Sequence, residues 1–190
     1  MTTLALFPLR AVLLPGSVLS LHIFEFRYRE MLRRCRRNGE TFGIVLIREG
    51  SEVGGAARPF DVGTEAALVA VEDLPDGRTI LLVEGRRRFR IRRVVTGNVF
   101  PEGDVEWLPE DPGDAEDWRR TVLDLLADSN LHGLATRCQE CVELSYRLAD
   151  ALARDAMERQ EFLEAPDAGE RLHRAAVLLL RTQTRMWGAG

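Results

Sequence analysis

The sequence predicts an α+β protein in which a half built of strands precedes a half built of helices. Residues 1–109 contain short apolar runs separated by Gly and Pro, a pattern typical of strands. After a linker at 109–117, apolar residues recur at helical spacing. One early helix interrupts the strands. We therefore predict a partly closed, six-stranded β-barrel over 1–109, followed by a helical bundle over 110–190 that packs on it.

The predicted strands are bounded by turn residues. Pro15-Gly16 separates the first two strands, and Leu74-Pro75-Asp76-Gly77 joins two later ones in a hairpin. In that tetrapeptide proline restricts φ and glycine supplies a positive φ. Strands are predicted at 3–9, 18–24, 42–47, 64–71, 78–83 and 88–95, with 105–108 closing the sheet.

The early helix is predicted at 26–38, and Asn38-Gly39 is a typical end for it. Its remaining faces are rich in arginine. Four residues at helical spacing form the face that we expect to pack on the sheet: Tyr28, Met31, Leu32 and Cys35.

Four helices are predicted in the second half. They lie around 118–126, 141–152, 157–163 and 167–186. The third helix ends before Pro166, because the residue before a proline disfavours helical geometry. Asp167 with Glu170 resembles a capping box, which predicts the start of the fourth.

The basic residues are all arginine, since the chain contains no lysine. A Walker A loop, a Ser-Lys dyad and a Schiff-base lysine all require lysine, so these chemistries are excluded. The GxSxG and HExxH motifs are absent as well. We therefore predict that the chain is not an enzyme and uses no cofactor or metal.

The charge differs between the two halves. Residues 1–109 hold 16 arginines against 14 acids, and residues 110–190 hold 10 against 16, giving a net charge of −4. A net acidic chain is an unusual nucleic-acid-binding protein. No membrane-length apolar run or signal peptide is evident, and the odd cysteine count argues against a secreted disulfide framework. The predicted location is the cytoplasm.

Five motifs over about 4–95 carry a family resemblance. Ile23-Phe-Glu-Phe-Arg-Tyr-Arg29 stands at a strand-to-helix junction, with Phe26 where relatives commonly have proline. The other motifs are Phe42-Gly-Ile-Val-Leu-Ile47, Glu52-Val-Gly-Gly55, Val62-Gly-Thr-Glu-Ala66 and a last hairpin with Asp76-Gly-Arg78 and Gly85-Arg-Arg-Arg-Phe-Arg-Ile91. They follow the opening strands around Pro15-Gly16, which match as well. In this order they resemble the N-terminal domain of the Lon ATP-dependent protease.

This resemblance implies a PUA-like β-barrel followed by a helical bundle. It also implies protein recognition without catalysis, because in Lon this domain helps to select substrates for separate ATPase and peptidase parts. A similar LON domain serves as a docking surface in cereblon, and stand-alone bacterial versions exist. The expected partner is a protein or an unfolded polypeptide segment, and a separate protease is a further candidate.

The candidate partner-binding surface is a groove near 26–29 and the Gly- and Ala-rich loop 50–59. Phe26 and Arg27 are predicted to be exposed there, because aromatic and arginine side chains supply much of the anchoring at interfaces. By contrast, Phe24 and Tyr28 are predicted to lie in the core. The candidate residues are Phe26, Arg27, Arg29, Arg58 and Phe60.

An alternative site is the arginine-rich strand at 86–93. Strict alternation would place four arginines on one face and Phe89 and Ile91 on the other. One interpretation is an RNA-binding stripe, since related PUA folds bind RNA; the other is a solvated face that pairs with the acidic helices. The arginines concerned are Arg86, Arg88, Arg90 and Arg92.

Cys138 and Cys141 form a CxxC motif. Its use as a redox pair or a zinc half-site is one interpretation. The other is a pair of buried core cysteines on the apolar side of a helix. A structural zinc normally takes four ligands, and the remaining candidate ligands are scattered, which favours the core interpretation.

Overall fold

The computed structural model describes residues 2–52, 57–95, 98–127, 129 and 131–187, apart from the side chains of 135, 136 and 183–187. The chain divides into two compact units between Leu108 and Pro109. The described part of the first unit holds seven strands and one helix, and that of the second holds five helices. The α+β prediction is therefore confirmed.

The first unit contains one sheet and the helix α1. The strand order is β1-β7-β6-β5-β3-β4, and β2 pairs with β6 outside this path. The elements are β1 (Thr2–Leu9), β2 (Val18–Ile23), α1 (Phe26–Asn38), β3 (Phe42–Glu49), β4 (Arg58–Pro59), β5 (Val62–Asp73), β6 (Thr79–Val95) and β7 (Glu102–Trp107).

The sheet differs from the predicted six-stranded barrel. Strand β1 pairs with β7 in antiparallel and with β3 in parallel orientation, so the path of strands returns to β1. Strands β2 and β4 lie outside this ring. The two strands predicted at 78–83 and 88–95 form the single 17-residue strand β6. A strand of that length pairs with β2 near its start and with β7 near its end.

Helix α1 packs on the sheet through the predicted face, since all four residues of that face are buried. The ring centroids of Phe7 and Tyr28 are 4.2 Å apart, which joins β1 to the helix. Gly39 ends α1 with a φ of +67°, and its N–H donates to the carbonyl of Cys35. A residue with a side chain is strained at that φ, which explains the glycine.

The predicted hairpin joins β5 and β6. The Leu74 N–H donates to the Arg78 carbonyl at 2.8 Å, and the Gly77 N–H donates to the Leu74 carbonyl at 3.0 Å. Gly77 has a φ of +82°, as the turn requires. This turn lines a basic cavity next to α1.

The second unit contains one helix more than predicted, the short α3. The Asp167 carboxylate accepts the Glu170 N–H at 2.8 Å, which is the cap that the sequence indicates for the last helix. None of the described helices is long and apolar enough to cross a bilayer. The helices are α2 (Ala115–Leu126), α3 (His132–Arg137), α4 (Cys141–Leu152), α5 (Ala156–Glu164) and α6 (Ala168–Trp187).

Candidate functional site

Two phenylalanine side chains are exposed where β2 passes into α1. Phe24 is 52% exposed and Phe26 is 65% exposed. Phe26 lies at the surface, as expected, but the prediction that Phe24 belongs to the core is wrong. Leu21 and Ile23 point inward, so the alternation of a strand turns Phe24 outward. That alternation is the sequence signal that could have identified Phe24.

A cavity of about 270 Å³ lies next to Phe24. Its floor is apolar, because buried side chains of β1, β2 and α1 form it. Polar and charged side chains stand at the rim, and Glu52 approaches from the segment after β3. The lining residues are Phe7, Leu9, Ser20, Leu21, His22, Ile23, Phe24, Glu25, Tyr28 and Glu52.

Strand β2 borders this cavity with a backbone edge. Within the described part of the chain β2 pairs with β6 alone, so its other edge has no strand partner. Such an edge presents N–H and C=O groups that can pair with an added strand. Phe24 lines this cavity, and Phe26 is exposed two residues further along the chain. We call the cavity, the edge of β2 and these two phenylalanines the β2–α1 surface.

Arg27 is less exposed than the sequence predicts, with 24% of its side chain accessible. Its Nε lies 3.0 Å from Glu25 Oε2, and its Nη2 donates to the Glu52 carbonyl at 3.1 Å. Its guanidinium also stacks on Tyr28, 4.5 Å from the ring centroid. Arg27 thus connects the start of α1 to the segment after β3. Burial raises the pKa of Tyr28 to about 12, so this phenol is neutral.

The other predicted site residues lie elsewhere in the first unit. Arg29 donates to the Gly77 carbonyl at 3.2 Å and faces the hairpin. Phe60 is covered by Arg48, whose guanidinium lies 4.5 Å from the ring centroid, and Arg58 pairs loosely with Glu49 at 3.9 Å. No contact among the described residues joins Phe60 or Arg58 to Phe26. Part of the predicted loop, 53–56, lies outside the described residues.

The arginine strand does not present its four arginines on one face. Arg88 is only 2% exposed, whereas Arg86, Arg90 and Arg92 are exposed. Gly85 pairs with Ala66 and Arg88 with Thr64, so β6 carries one extra residue between these two pairs. This β-bulge shifts the alternation and turns Arg88 inward.

The exposed arginines of this strand have acidic neighbours on the same sheet. Arg86 pairs with Glu84 at 3.1 Å, and Arg92 Nε donates to Glu106 at 2.7 Å. Acidic side chains of the same sheet therefore partly neutralise these arginines.

The CxxC cysteines do not lie within one helix. Cys138 follows α3 and Cys141 is the first residue of α4, so the motif spans the connection between them. Both thiols are free and buried, and the Cys141 thiol donates to Glu116 Oε1 at 3.2 Å. The described residues contain no group of three or more His, Cys, Asp or Glu that could hold a metal ion.

The cysteines are expected to be unreactive in the folded protein. Burial raises the pKa of Cys35 to about 11 and also raises the pKa of Cys138 and of Cys141. At pH 8 roughly one Cys35 thiol in a thousand would be ionised. Ellman's reagent should therefore modify native protein slowly and all three thiols rapidly in denaturant. Rapid modification of Cys138 or Cys141 in native protein would favour the redox interpretation.

The fold and this surface define an α+β domain with exposed aromatic side chains near an apolar cavity. Residues 3–181 match the model of the family described as the ATP-dependent protease La (LON) substrate-binding domain. The chain belongs to this family.

Solved structures of the family share the fold. A Lon N-terminal domain protein from Xanthomonas campestris is 30% identical with a TM-score of 0.71, covering 92% of this chain and 96% of that one. The N-terminal domain of a Mycobacterium avium complex Lon protease is 18% identical with a TM-score of 0.71, covering 94% and 98%.

Similar curated proteins are much longer than this chain. Lon protease 2 of Syntrophobacter fumaroxidans is 27% identical over 191 residues, which is 94% of this chain and 24% of that protein. Lon protease of Paraburkholderia phytofirmans is 32% identical over 184 residues, which is 89% and 23%. The chain thus spans about a quarter of these relatives. Its family match is to the substrate-binding domain, and no catalytic domain is evident in this chain.

Proposed function

We propose that this chain is a non-enzymatic recognition module that binds extended or partly unfolded protein segments at the β2–α1 surface. The observation that carries the proposal is a pair of exposed phenylalanines, Phe24, which lines an apolar cavity, and Phe26, two residues further on. The family's description as a substrate-binding domain supports the same function. We place this activity in the cytoplasm, and a separate protease is a candidate recipient of the bound segment.

The two rings supply the apolar part of the binding energy. Burying a whole phenylalanine side chain contributes about 1.5–3 kcal/mol. Roughly half of each side chain is exposed, so binding can still bury that half and gain about half of the energy. Together they would contribute about 2 kcal/mol, or roughly a 30-fold change in Kd. The apolar floor of the cavity would receive one further side chain of the bound segment.

The free edge of β2 supplies contacts that do not depend on side chains. An extended segment that adds to a sheet edge gains main-chain hydrogen bonds, while neighbouring pockets read alternate side chains. Only a segment without its own folded structure has these backbone groups free. This mechanism would select unfolded polypeptide with little dependence on its sequence.

The test is binding of a fluorescently labelled, permanently unfolded model protein to the wild-type chain and to Phe24→Ser/Phe26→Ser. We expect the double variant to bind about 30-fold more weakly. Its thermal unfolding should match that of the wild type, because both side chains are largely exposed. Val94→Ser/Met157→Ser is the matched control, since Val94 and Met157 are comparably exposed elsewhere.

Equal binding by the wild type and the Phe24→Ser/Phe26→Ser variant would contradict the β2–α1 surface as the site. Absence of any binding to unfolded protein would contradict the proposed function as a whole. Tighter binding to a short single-stranded RNA than to the unfolded protein would favour the PUA-like RNA-binding alternative. In that case binding should weaken when Arg90 and Arg92 are replaced by serine.

A further inference from the structure

A second cavity, of about 510 Å³, lies between α1 and the β5–β6 hairpin. Helix α1 contributes four arginines to its wall, and the hairpin contributes a fifth. The charged residues that line it are Arg29, Arg33, Arg36, Arg37, Arg78 and Asp73. We call this feature the arginine groove.

Two contacts hold the walls of the arginine groove together. Arg36 Nη1 donates to Asp73 Oδ2 at 2.9 Å, and Arg29 donates to the Gly77 carbonyl at 3.2 Å. The Arg36 guanidinium and the Thr79 hydroxyl lower the pKa of Asp73, so that carboxylate is ionised at neutral pH. These contacts preform the groove but use few of its charges.

The groove keeps an excess of positive charge after its acids are counted. Asp73 lines it, and two flanking acids pair with its arginines, Glu30 with Arg33 and Asp76 with Arg78. Five guanidinium groups therefore face three carboxylates. Among the described residues no acid lies within ion-pair distance of Arg37. The charge of the groove is therefore complementary to an anionic ligand.

We infer that the arginine groove binds a carboxylate-rich stretch of the same protein segment that contacts the β2–α1 surface, an inference that rests on the proposed function. Guanidinium groups bind carboxylates through paired, planar hydrogen bonds. No aromatic ring lines the groove, so it lacks the stacking platforms that single-stranded nucleic acids use. This difference favours an acidic polypeptide over RNA.

The geometry of α1 connects the two surfaces. Phe26, Arg33 and Arg37 are spaced by seven and four residues, so they share one solvent-facing stripe of the helix. The helix has 13 residues and is therefore about 20 Å long. An extended polypeptide covers that distance in about six residues. The preferred segment would carry apolar residues and acidic residues about six positions apart.

The experiment compares two labelled peptides of equal length, one with an apolar stretch followed by aspartates and one with asparagines in their place. Binding is measured for the wild-type chain and for Arg33→Gln/Arg37→Gln at low and high salt. We expect the variant to bind the acidic peptide about tenfold more weakly at low salt. Its affinity for the neutral peptide should not change, and the difference should shrink in high salt.

Two matched variants serve as controls. Arg90→Gln/Arg92→Gln removes the same charge from exposed positions on β6 and should leave the acidic peptide's affinity unchanged. Arg33→Lys/Arg37→Lys keeps the charge but not the planar guanidinium, and should recover part of the affinity. Arg33 and Arg37 are both exposed, so the variants should fold normally, as a thermal unfolding curve will check.

The outcomes distinguish a failure of this inference from a failure of the proposed function. Equal affinity for acidic and neutral peptides overturns the arginine groove as a site and leaves the β2–α1 surface standing. Equal weakening by the Arg33/Arg37 and Arg90/Arg92 variants also overturns it, because net charge alone would then explain the effect. Binding of neither peptide overturns both proposals. Tighter binding of a single-stranded RNA of the same charge overturns the assignment to acidic polypeptide.

Discussion

Replacing Arg171 by alanine is expected to lower the free energy of unfolding of the second unit, which contains helices α2–α6, by about 3 kcal/mol. The Arg171 side chain is 0% exposed, and its Nη2 lies 2.9 Å from Glu110 Oε2. Its Nε donates to Ser145 Oγ at 2.8 Å, and the guanidinium stacks 4.1 Å from the Tyr146 ring centroid. The Tyr146 hydroxyl donates to the same Glu110 carboxylate at 2.7 Å.

The variant would remove the cation that pairs with Glu110 and leave a large internal void. Glu110 keeps about a quarter of its side chain exposed, so water can partly solvate its carboxylate. We therefore expect a loss at the lower end of the range for broken buried ion pairs, about 3–5 kcal/mol. Arg171→Met fills the void without a charge and should recover part of the loss.

Urea denaturation followed by circular dichroism measures the effect. Arg174→Ala is the matched control on α6, because Arg174 pairs with Glu170 at 2.9 Å at the surface. Exposed pairs of this kind are worth about 0–1 kcal/mol. A loss for Arg171→Ala no larger than that of the Arg174 control would show that the buried network does not stabilise the unit.

The second large effect is expected for Gly85→Ala, which should lower the free energy of unfolding of the first unit by about 2–3 kcal/mol. A Cβ at Gly85 would lie 2.3 Å from the carbonyl oxygen of Leu14, which is a backbone atom. The Gly85 N–H donates to the Ser17 carbonyl, and the Gly85 carbonyl accepts the Gly16 N–H, both at 2.9 Å. Relief of the clash would therefore break at least one of these hydrogen bonds.

Thermal unfolding of Gly85→Ala should be compared with that of Gly133→Ala. Among the described residues, a Cβ at Gly133 would meet only the end of the Arg137 side chain at 3.6 Å. Alanine also favours the helix α3 in which Gly133 lies. We expect the control to be neutral or slightly stabilising. Wild-type stability for Gly85→Ala would mean that the Pro15-Gly16 turn is not packed against β6 as the structure has it.

The candidate site shows where prediction from the sequence succeeded and where it failed. The exposure of Phe26 and the burial of Tyr28 were predicted correctly, because helical spacing alone assigns a residue to a face. Arg27 is less exposed than predicted, because the Glu52 carbonyl reaches its guanidinium only when the segment after β3 approaches α1. Its role in partner binding stays a prediction. The prediction that Phe24 lies in the core was wrong, although the alternation of buried and exposed residues along β2 indicates that its side chain faces outward.

The prediction that four arginines of the strand at 86–93 share one face was wrong for a different physical reason. Alternation predicts which side chains share a face only while the register with the partner strand is unbroken. One extra residue between Gly85 and Arg88 shifts that register, so Arg88 is buried. Nothing in the arginine-rich run itself distinguishes the bulged position, because the bulge is defined by pairing with Thr64 and Ala66 on β5.

The sequence by itself determined the α+β class, the helix at 26–38, the hairpin turn and the family, because each depends on local spacing or on motifs read in order. It also excluded lysine-dependent catalysis. Tertiary structure alone decided the path of the sheet, the free edge of β2 and the arginine groove. These features bring together residues far apart in the chain, such as Arg36 and Asp73, and no local pattern encodes their approach.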